Sequence, residues 1–166
     1  MKRGGMWYTP VSGIWQSVWL ESVPESYIEK LHIENRGYSV IISVEPVMDG
    51  LVTVPGLGEF PLKDGSAAVT AENPRLWSPE DPYLYSFTLE AGDDRIESYF
   101  AIRSLEVKKV GDYRRLCLNG KPYFFHGLLD QGYWPDGIYT PASPACYAED
   151  ILAMKNLGFN TLRKHI

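Results

Sequence analysis

Tyr27-Ile28-Glu29-Lys30-Leu31-His32-Ile33-Glu34-Asn35-Arg36-Gly37-Tyr38-Ser39-Val40-Ile41-Ile42-Ser43-Val44 decides the class of the fold. Its first half alternates, with Tyr27, Glu29, Leu31 and Ile33 on one side of an extended chain and Ile28, Lys30 and His32 on the other. A period of two belongs to a strand, because successive side chains on a pleated backbone point to opposite faces. Asn35-Arg36-Gly37 supplies a turn, and Val40–Val44 is a β-branched run too short for a helix.

Outward from this pair the same grammar repeats. Leu51–Val54, Ser66–Thr70, Tyr83–Leu89 and Ile96–Ile102 read as further strands, with Pro, Gly and Asp at the breaks between them. This spacing predicts an antiparallel sandwich of the immunoglobulin-like kind over residues 23–102, and another small β-sandwich shares the pattern. Upstream, Gly13-Ile14-Trp15-Gln16-Ser17-Val18-Trp19-Leu20-Glu21 is an extended stretch with apolar residues on both faces.

After Arg103 the pattern changes. Arg114–Leu118 and Lys121–Phe125 flank Asn119-Gly120, the dipeptide best suited to the positive φ of a tight hairpin turn. The second strand runs on through Phe124-Phe125-His126-Gly127-Leu128-Leu129 into a long loop. Ser143-Pro144 then marks a helix N-cap with proline at the first helical position. Glu149 and Asp150 follow in the early turns, where the helix dipole favours negative charge. Tyr147, Ile151, Met154 and Leu157 fall on one helical face, Gly158 ends the helix, and Asn160–Ile166 reads as another strand.

Strand, helix and strand within about 45 residues make one βαβ unit, the crossover that parallel strands require. One such unit cannot bury both faces of its sheet and belongs to a larger α/β assembly. An eight-stranded barrel takes roughly 250 residues, far more than follow Arg103. The expected fold is therefore mainly β: an immunoglobulin-like β-sandwich followed by the first βαβ unit of a truncated (β/α)8 barrel.

Composition narrows the function. Over 166 residues, 45% hydrophobic and 22% charged side chains are ordinary for a globular chain. A net charge of −5 with no Lys/Arg cluster argues against nucleic acid, whose binders need a basic face. Cys117 and Cys146 fit no metal spacing and no disulfide framework, and His32, His126 and His165 are scattered. No metal and no cofactor are expected. No stretch approaches the roughly 20 apolar residues of a membrane span. Met1-Lys2-Arg3-Gly4-Gly5 opens no secretory leader, and the compartment stays open.

Four stretches, in order, resemble glycoside hydrolase family 2, the group of β-galactosidases, β-glucuronidases and β-mannosidases. Gly13–Glu21 is similar to the end of the family's N-terminal sugar-binding jelly roll, which assigns residues 1–22 to that domain. Asn73-Pro74-Arg75-Leu76-Trp77-Ser78-Pro79-Glu80-Asp81-Pro82-Tyr83-Leu84-Tyr85 is similar to the Trp-Ser-Pro-x-x-Pro-x-Leu-Tyr signature of its immunoglobulin-like domain, residues 23–102 here. Phe100-Ala101-Ile102-Arg103, with Leu118-Asn119-Gly120-Lys121-Pro122, looks like the join to the catalytic barrel. Asp150–Lys155 through Asn160-Thr161-Leu162-Arg163 is similar to the barrel's first helix and second strand, so residues 103–166 are a linker hairpin and barrel start.

The resemblance implies a retaining glycosidase acting on terminal β-linked sugars. Its acid/base and nucleophile are two glutamates at the ends of later barrel strands, about 5 to 5.5 Å apart. On this alignment both fall beyond Ile166, so no catalytic residue is assigned in this chain, and the chain alone is expected not to hydrolyse glycosides.

Barrel sites lie at the C-terminal ends of the strands. After strand one, Asp130-Gln131-Gly132-Tyr133-Trp134-Pro135-Asp136-Gly137 combines a carboxylate, an amide and aromatics that suit sugar hydroxyls and C–H faces. A plain surface loop with Trp134 on the barrel rim competes with that reading. Family members more often carry Asn-Arg-His-Glu where this chain has Leu129-Asp130-Gln131-Gly132, and Gln131 stands at the substrate-contacting histidine. In strand two, Thr161, Arg163 and His165 share one face by the period of two, opposite Leu162 and Ile166. Arg163 aligns with a family active-site arginine, and a structural salt bridge is its competing reading. His165 arrives one residue early for the family's histidine. The substrate-binding candidates are thus Asp130, Gln131, Trp134, Arg163 and His165.

Asp130 and Asp136 are the only carboxylates in this loop and make a poor catalytic pair. Trp7, Trp15 and Trp19 could line a sugar groove, with core packing favoured for Trp15 and Trp19; His126 reads as buried or interfacial. A carbohydrate substrate is expected for the intact enzyme, and self-association through the open barrel edges for this chain. The rival function is a non-catalytic carbohydrate-binding or structural β-sandwich.

Overall fold

The computed structural model describes residues 11–165; Trp7 and Ile166 of the sequence reading lie outside them. Two compact units divide the chain, one of Ser22–Phe124 and one of residues 11–21 with 125–165.

The sandwich of the first unit is built on seven strands: β1 (Lys30–Arg36), β2 (Ser39–Glu45), β3 (Gly50–Val54), β4 (Gly58–Leu62), β5 (Ser66–Thr70), β6 (Tyr85–Ala91) and β7 (Asp94–Phe100). They form two antiparallel sheets ordered β1-β2-β5 and β4-β3-β6-β7. Alternation fixes what each sheet buries. Val40, Ile42 and Val44 of β2 face Val52, Val54, Phe87 and Leu89 of the other sheet in one apolar core, closed by Val69, Phe100 and Ile102. Each such side chain taken fully out of water contributes about 1.5–3 kcal/mol. The chain is a mainly β protein, and this unit is a β-sandwich.

Two differences from the sequence reading have clear causes. The opening stretch pairs with β2 from Lys30–Glu45 to Arg36–Ser39, yet Ile28 is buried ahead of β1 while Ile33 is exposed. β1 is the edge of its sheet, and its Lys30, His32, Glu34 and Arg36 meet water. Strand β4 escaped the reading because Pro55, Gly56, Gly58 and Pro61 look like turn residues. It too is an edge strand, where a proline costs no ladder hydrogen bond.

A third sheet in this unit, ordered β10-β9-β8, contains β8 (Leu105–Val110), β9 (Tyr113–Leu118) and β10 (Lys121–Pro122). Asn119 and Gly120 hold φ of 51° and 76°, the tight turn expected of that dipeptide. Strand β8 was not anticipated. The segment Asn73–Tyr85 lies against this region: Trp77 N–H donates to Ile102 O at 2.9 Å, and the Arg103 guanidinium sits 4.7 Å from the Trp77 ring centroid. Arg75 reaches Asp81 through Nε and Nη2 at 2.8 and 2.6 Å and covers the Tyr83 ring. The stretch that carries the family signature thus acts here as an internal clamp.

In the second unit, β11 (Gly127–Asp130), α1 (Pro144–Asn156) and β12 (Thr161–Lys164) form a parallel strand–helix–strand unit. Gly127 admits β12 closely, since a Cβ there would stand 2.7 Å from Thr161 O. Helix α1 starts after Ser143 in an extended conformation with Pro144 in its first turn, but the Ser143 side chain makes no cap hydrogen bond. No acidic residue occupies the first turn; Glu149 and Asp150 come one turn later. At the other end, Gly158 N–H bonds Lys155 O and Phe159 N–H bonds Met154 O at 3.0 and 3.1 Å, with Gly158 at φ 92°. That pair of bonds is the glycine-dependent helix stop anticipated from sequence.

Three expectations fail in this unit. The strand expected through Phe124–Leu129 is confined to Gly127–Asp130; His126, read as buried or interfacial, is not buried, and its ring lies 4.6 Å from that of Phe159. Residues 13–21 form no strand, and Trp15 and Trp19 are 52% and 75% exposed rather than core. With no strand partner among the described residues, that stretch has no sheet face against which to bury its rings. Trp15 instead meets Tyr139 at 5.6 Å between centroids.

Candidate functional site

The period of two sets the two faces of the β11–β12 pair. Leu128 and Asp130 project to one side with Leu162 and Lys164; Leu129 and Arg163 project to the other. The first side meets α1, and Tyr147, Ile151 and Met154 join Leu128 and Leu162 around a cleft of about 550 Å³. Its size and mostly apolar wall, with a few polar groups, are those of a small-molecule pocket. Gln131, Trp134 and Asp150 also line it.

Asp130 is heavily engaged. Lys164 Nζ donates to Oδ2 at 2.9 Å, Gly132 N–H donates to Oδ1 at 2.8 Å, and His165 N–H donates to the backbone carbonyl at 2.9 Å. The Lys164 ammonium, with help from the Gly132 N–H and against partial desolvation, holds the Asp130 carboxyl below the ordinary aspartate value. An ionised, ion-paired carboxylate has no proton to give near neutral pH, which unsuits Asp130 for general-acid work. Asp136 is exposed and does not line the cleft.

The loop after β11 folds on itself. Trp134 and Ile138 exchange backbone hydrogen bonds at 2.9 and 3.1 Å, with Ile138 at φ 59°. The Trp134 ring stands edge-on to Tyr147 of α1, with centroids 5.5 Å apart. Its indole Nε1 is buried and has no hydrogen-bond partner among the described residues; the same is true of His165 Nδ1. Arg163 is exposed, and its side chain makes no ion pair with another described residue. The cleft therefore brings Asp130, Gln131 and Trp134 together; Arg163 and His165 do not line it. Lys164 was missed, since only the register of the parallel pair sets it beside Asp130. Among the described residues no group of three or more His, Cys, Asp or Glu gathers as metal ligands would.

Residues 29–103 match the family described as Glycosyl hydrolases family 2. This stretch is a family 2 domain. Consistent with it, a β-galactosidase of Pseudoalteromonas haloplanktis is 30% identical over 101 residues, covering 57% of this chain and 9% of its own length. A putative β-glucuronidase of Formosa agariphila is 25% identical over 177 residues, covering 91% of this chain and 21% of its own length. The chain thus spans about a fifth or less of the curated relatives it matches. Among solved structures, a Faecalibacterium prausnitzii β-glucuronidase superposes with a TM-score of 0.72 at 24% identity, over 85% of this chain and 24% of that one. A Ruminococcus gnavus β-glucuronidase gives 0.67 at 18% identity, over 86% of this chain and 26% of that one. These two likenesses are of fold. The family 2 match covers β1 to β7 and the Trp77 clamp, but stops short of the strand–helix–strand unit.

Proposed function

We propose that the chain is part of a retaining glycoside hydrolase that cleaves O-glycosyl bonds of β-linked sugars. In this reading the family 2 domain is a scaffold, and β11–α1–β12 is the first unit of a (β/α)8 catalytic barrel. The observation that carries it is the loop leaving the C-terminal end of β11, which presents Gln131 and Trp134 beside a cleft directly downstream of a family 2 domain. Sites on parallel α/β units occupy that end of the strands.

Gln131 would hydrogen-bond a sugar hydroxyl, and Trp134 would cover an apolar sugar face. Arg163 and His165, at the end of β12, would bind from the other face of the strand pair. The acid/base and nucleophilic glutamates of the double displacement come from outside residues 1–166. The purified chain is then inactive on p-nitrophenyl β-galactoside and p-nitrophenyl β-glucuronide. Release of p-nitrophenol by this chain above the buffer rate would overturn the assignment of catalysis to residues beyond it.

A further inference from the structure

We infer that Asp130 and Lys164 are a positioning pair that sets the loop carrying Gln131 and Trp134. The role deepens the carbohydrate reading above and rests on it for its meaning, but its geometry stands independently. Asp130 and Lys164 are direct neighbours in the parallel register, three residues along from the Gly127–Thr161 close approach. Three bonds converge on one residue: Lys164 Nζ on Oδ2, Gly132 N–H on Oδ1, and His165 N–H on the carbonyl oxygen. They tie the end of β11, the first turn of the loop and the end of β12 together.

Gly132 makes that turn possible. It holds φ 67°, and a Cβ there would run into the Lys164 ammonium. The chain therefore bends tightly around the ion pair before it reaches Tyr133 and Trp134. Each carboxylate oxygen accepts one of these bonds, so ion pair and turn together fix the orientation of the carboxylate. An exposed ion pair contributes little to stability, which fits a pair whose role is geometry.

The test is read without sugar, on the full chain, from the Trp134 indole N–H and Ile138 amide resonances in ¹H–¹⁵N spectra. Neither group bonds the pair directly. Lys164→Met, Asp130→Asn and the double variant should move both resonances to a common position, because residues acting as one unit are not additive. Lys164→Arg should keep them near the wild-type position by restoring the cation. Double-variant shifts equal to the sum of the singles, or identical spectra for Lys164→Met and Lys164→Arg, would overturn the pair. If Asp130→Asn fails to fold, the contrast between the two Lys164 variants still decides. Failure of sugar binding would sink the carbohydrate reading and leave this cycle unaffected.

Discussion

Asn119 donates from Nδ2 to the carbonyl of Trp77 at 3.0 Å, across 42 residues of sequence. The same side chain accepts the Ser104 N–H through Oδ1 at 3.1 Å, while its own N–H donates to Ser104 O at 2.9 Å. One turn residue thus fastens the β9–β10 hairpin to the Arg103 segment and to the clamp that carries the family signature. Asn119→Ala removes both side-chain bonds and leaves an alanine at φ 51°. Its cost should be about 2–4 kcal/mol, from two hydrogen bonds and left-handed strain. Asn119→Gly spares the strain and should cost about half as much. Urea unfolding of both variants checks this, and equal midpoints for wild type and Asn119→Ala would refute it.

Arg75 and Asp81 give the clamp a pH signature. The Arg75 hydrogen bond holds the Asp81 carboxyl below its ordinary value, opposed by slight desolvation. A depressed carboxyl contributes stability above its unfolded pKa of about 3.9 and loses it as pH falls through the lower folded value. The melting temperature of the wild type should therefore exceed that of Asp81→Asn at neutral pH, with the gap closing in acid. The pair is exposed, so salt should narrow the gap as well. A gap that widens on acidification would reverse the sign argued here.

Much of the sandwich was legible because its strands bury one face: Val40, Ile42 and Val44 sit at every second position, and Asn119-Gly120 announces its own turn. Edge strands were less so. Pro61 reads as a breaker unless the sheet order is known, and Leu105–Val110 shows its alternation only beside its partner. In the candidate site, residue type alone singled out Gln131 and Trp134, which the structure places beside one cleft. The Asp130–Lys164 pair could not, because it exists only through the register of two strands 34 residues apart. Trp19 misled for a different reason: a large aromatic implies a core only if its segment has a surface to pack on.

Gly50 sits where β3 passes β6. A Cβ on it would clash with the backbone oxygen of Glu90 and press on Ala91 Cα and Cβ at 3.0 Å. β6 is held on both sides by β3 and β7 and cannot retreat. Gly50→Ala should destabilise the sandwich by about 1–3 kcal/mol, the usual cost of overpacking. Thermal unfolding followed by circular dichroism measures it, and an unchanged midpoint would show that the sheet yields there.

Among the described residues, β11 and β12 pair only with each other, so both outer edges are open. Leu129 is exposed on the side away from α1. An unpaired edge next to apolar side chains invites a second copy. Sedimentation should show association rising with concentration, and Leu129→Lys should lower it by placing charge at the edge. Equal association of the wild type and Leu129→Lys would move the contact elsewhere.

Protection against hydrogen exchange should divide along the same line. In the sandwich, Val40, Ile42, Val52 and Leu89 have no exposed surface, and their amides belong to paired strands. In the second unit α1 has no buried residue, and its sheet has two strands of four residues each. Opening free energies follow buried contacts, from near zero in frayed elements up to the global value in cores. The amides of Ile42 and Leu89 should therefore exchange slowest, and those of Leu128, Ile151 and Arg163 orders of magnitude faster. Exchange by mass spectrometry on peptides from each unit resolves the difference. Matching protection in the two units would mean that residues 125–165 carry a core of their own, and the proposal that they are one unit of a larger barrel would fall with it.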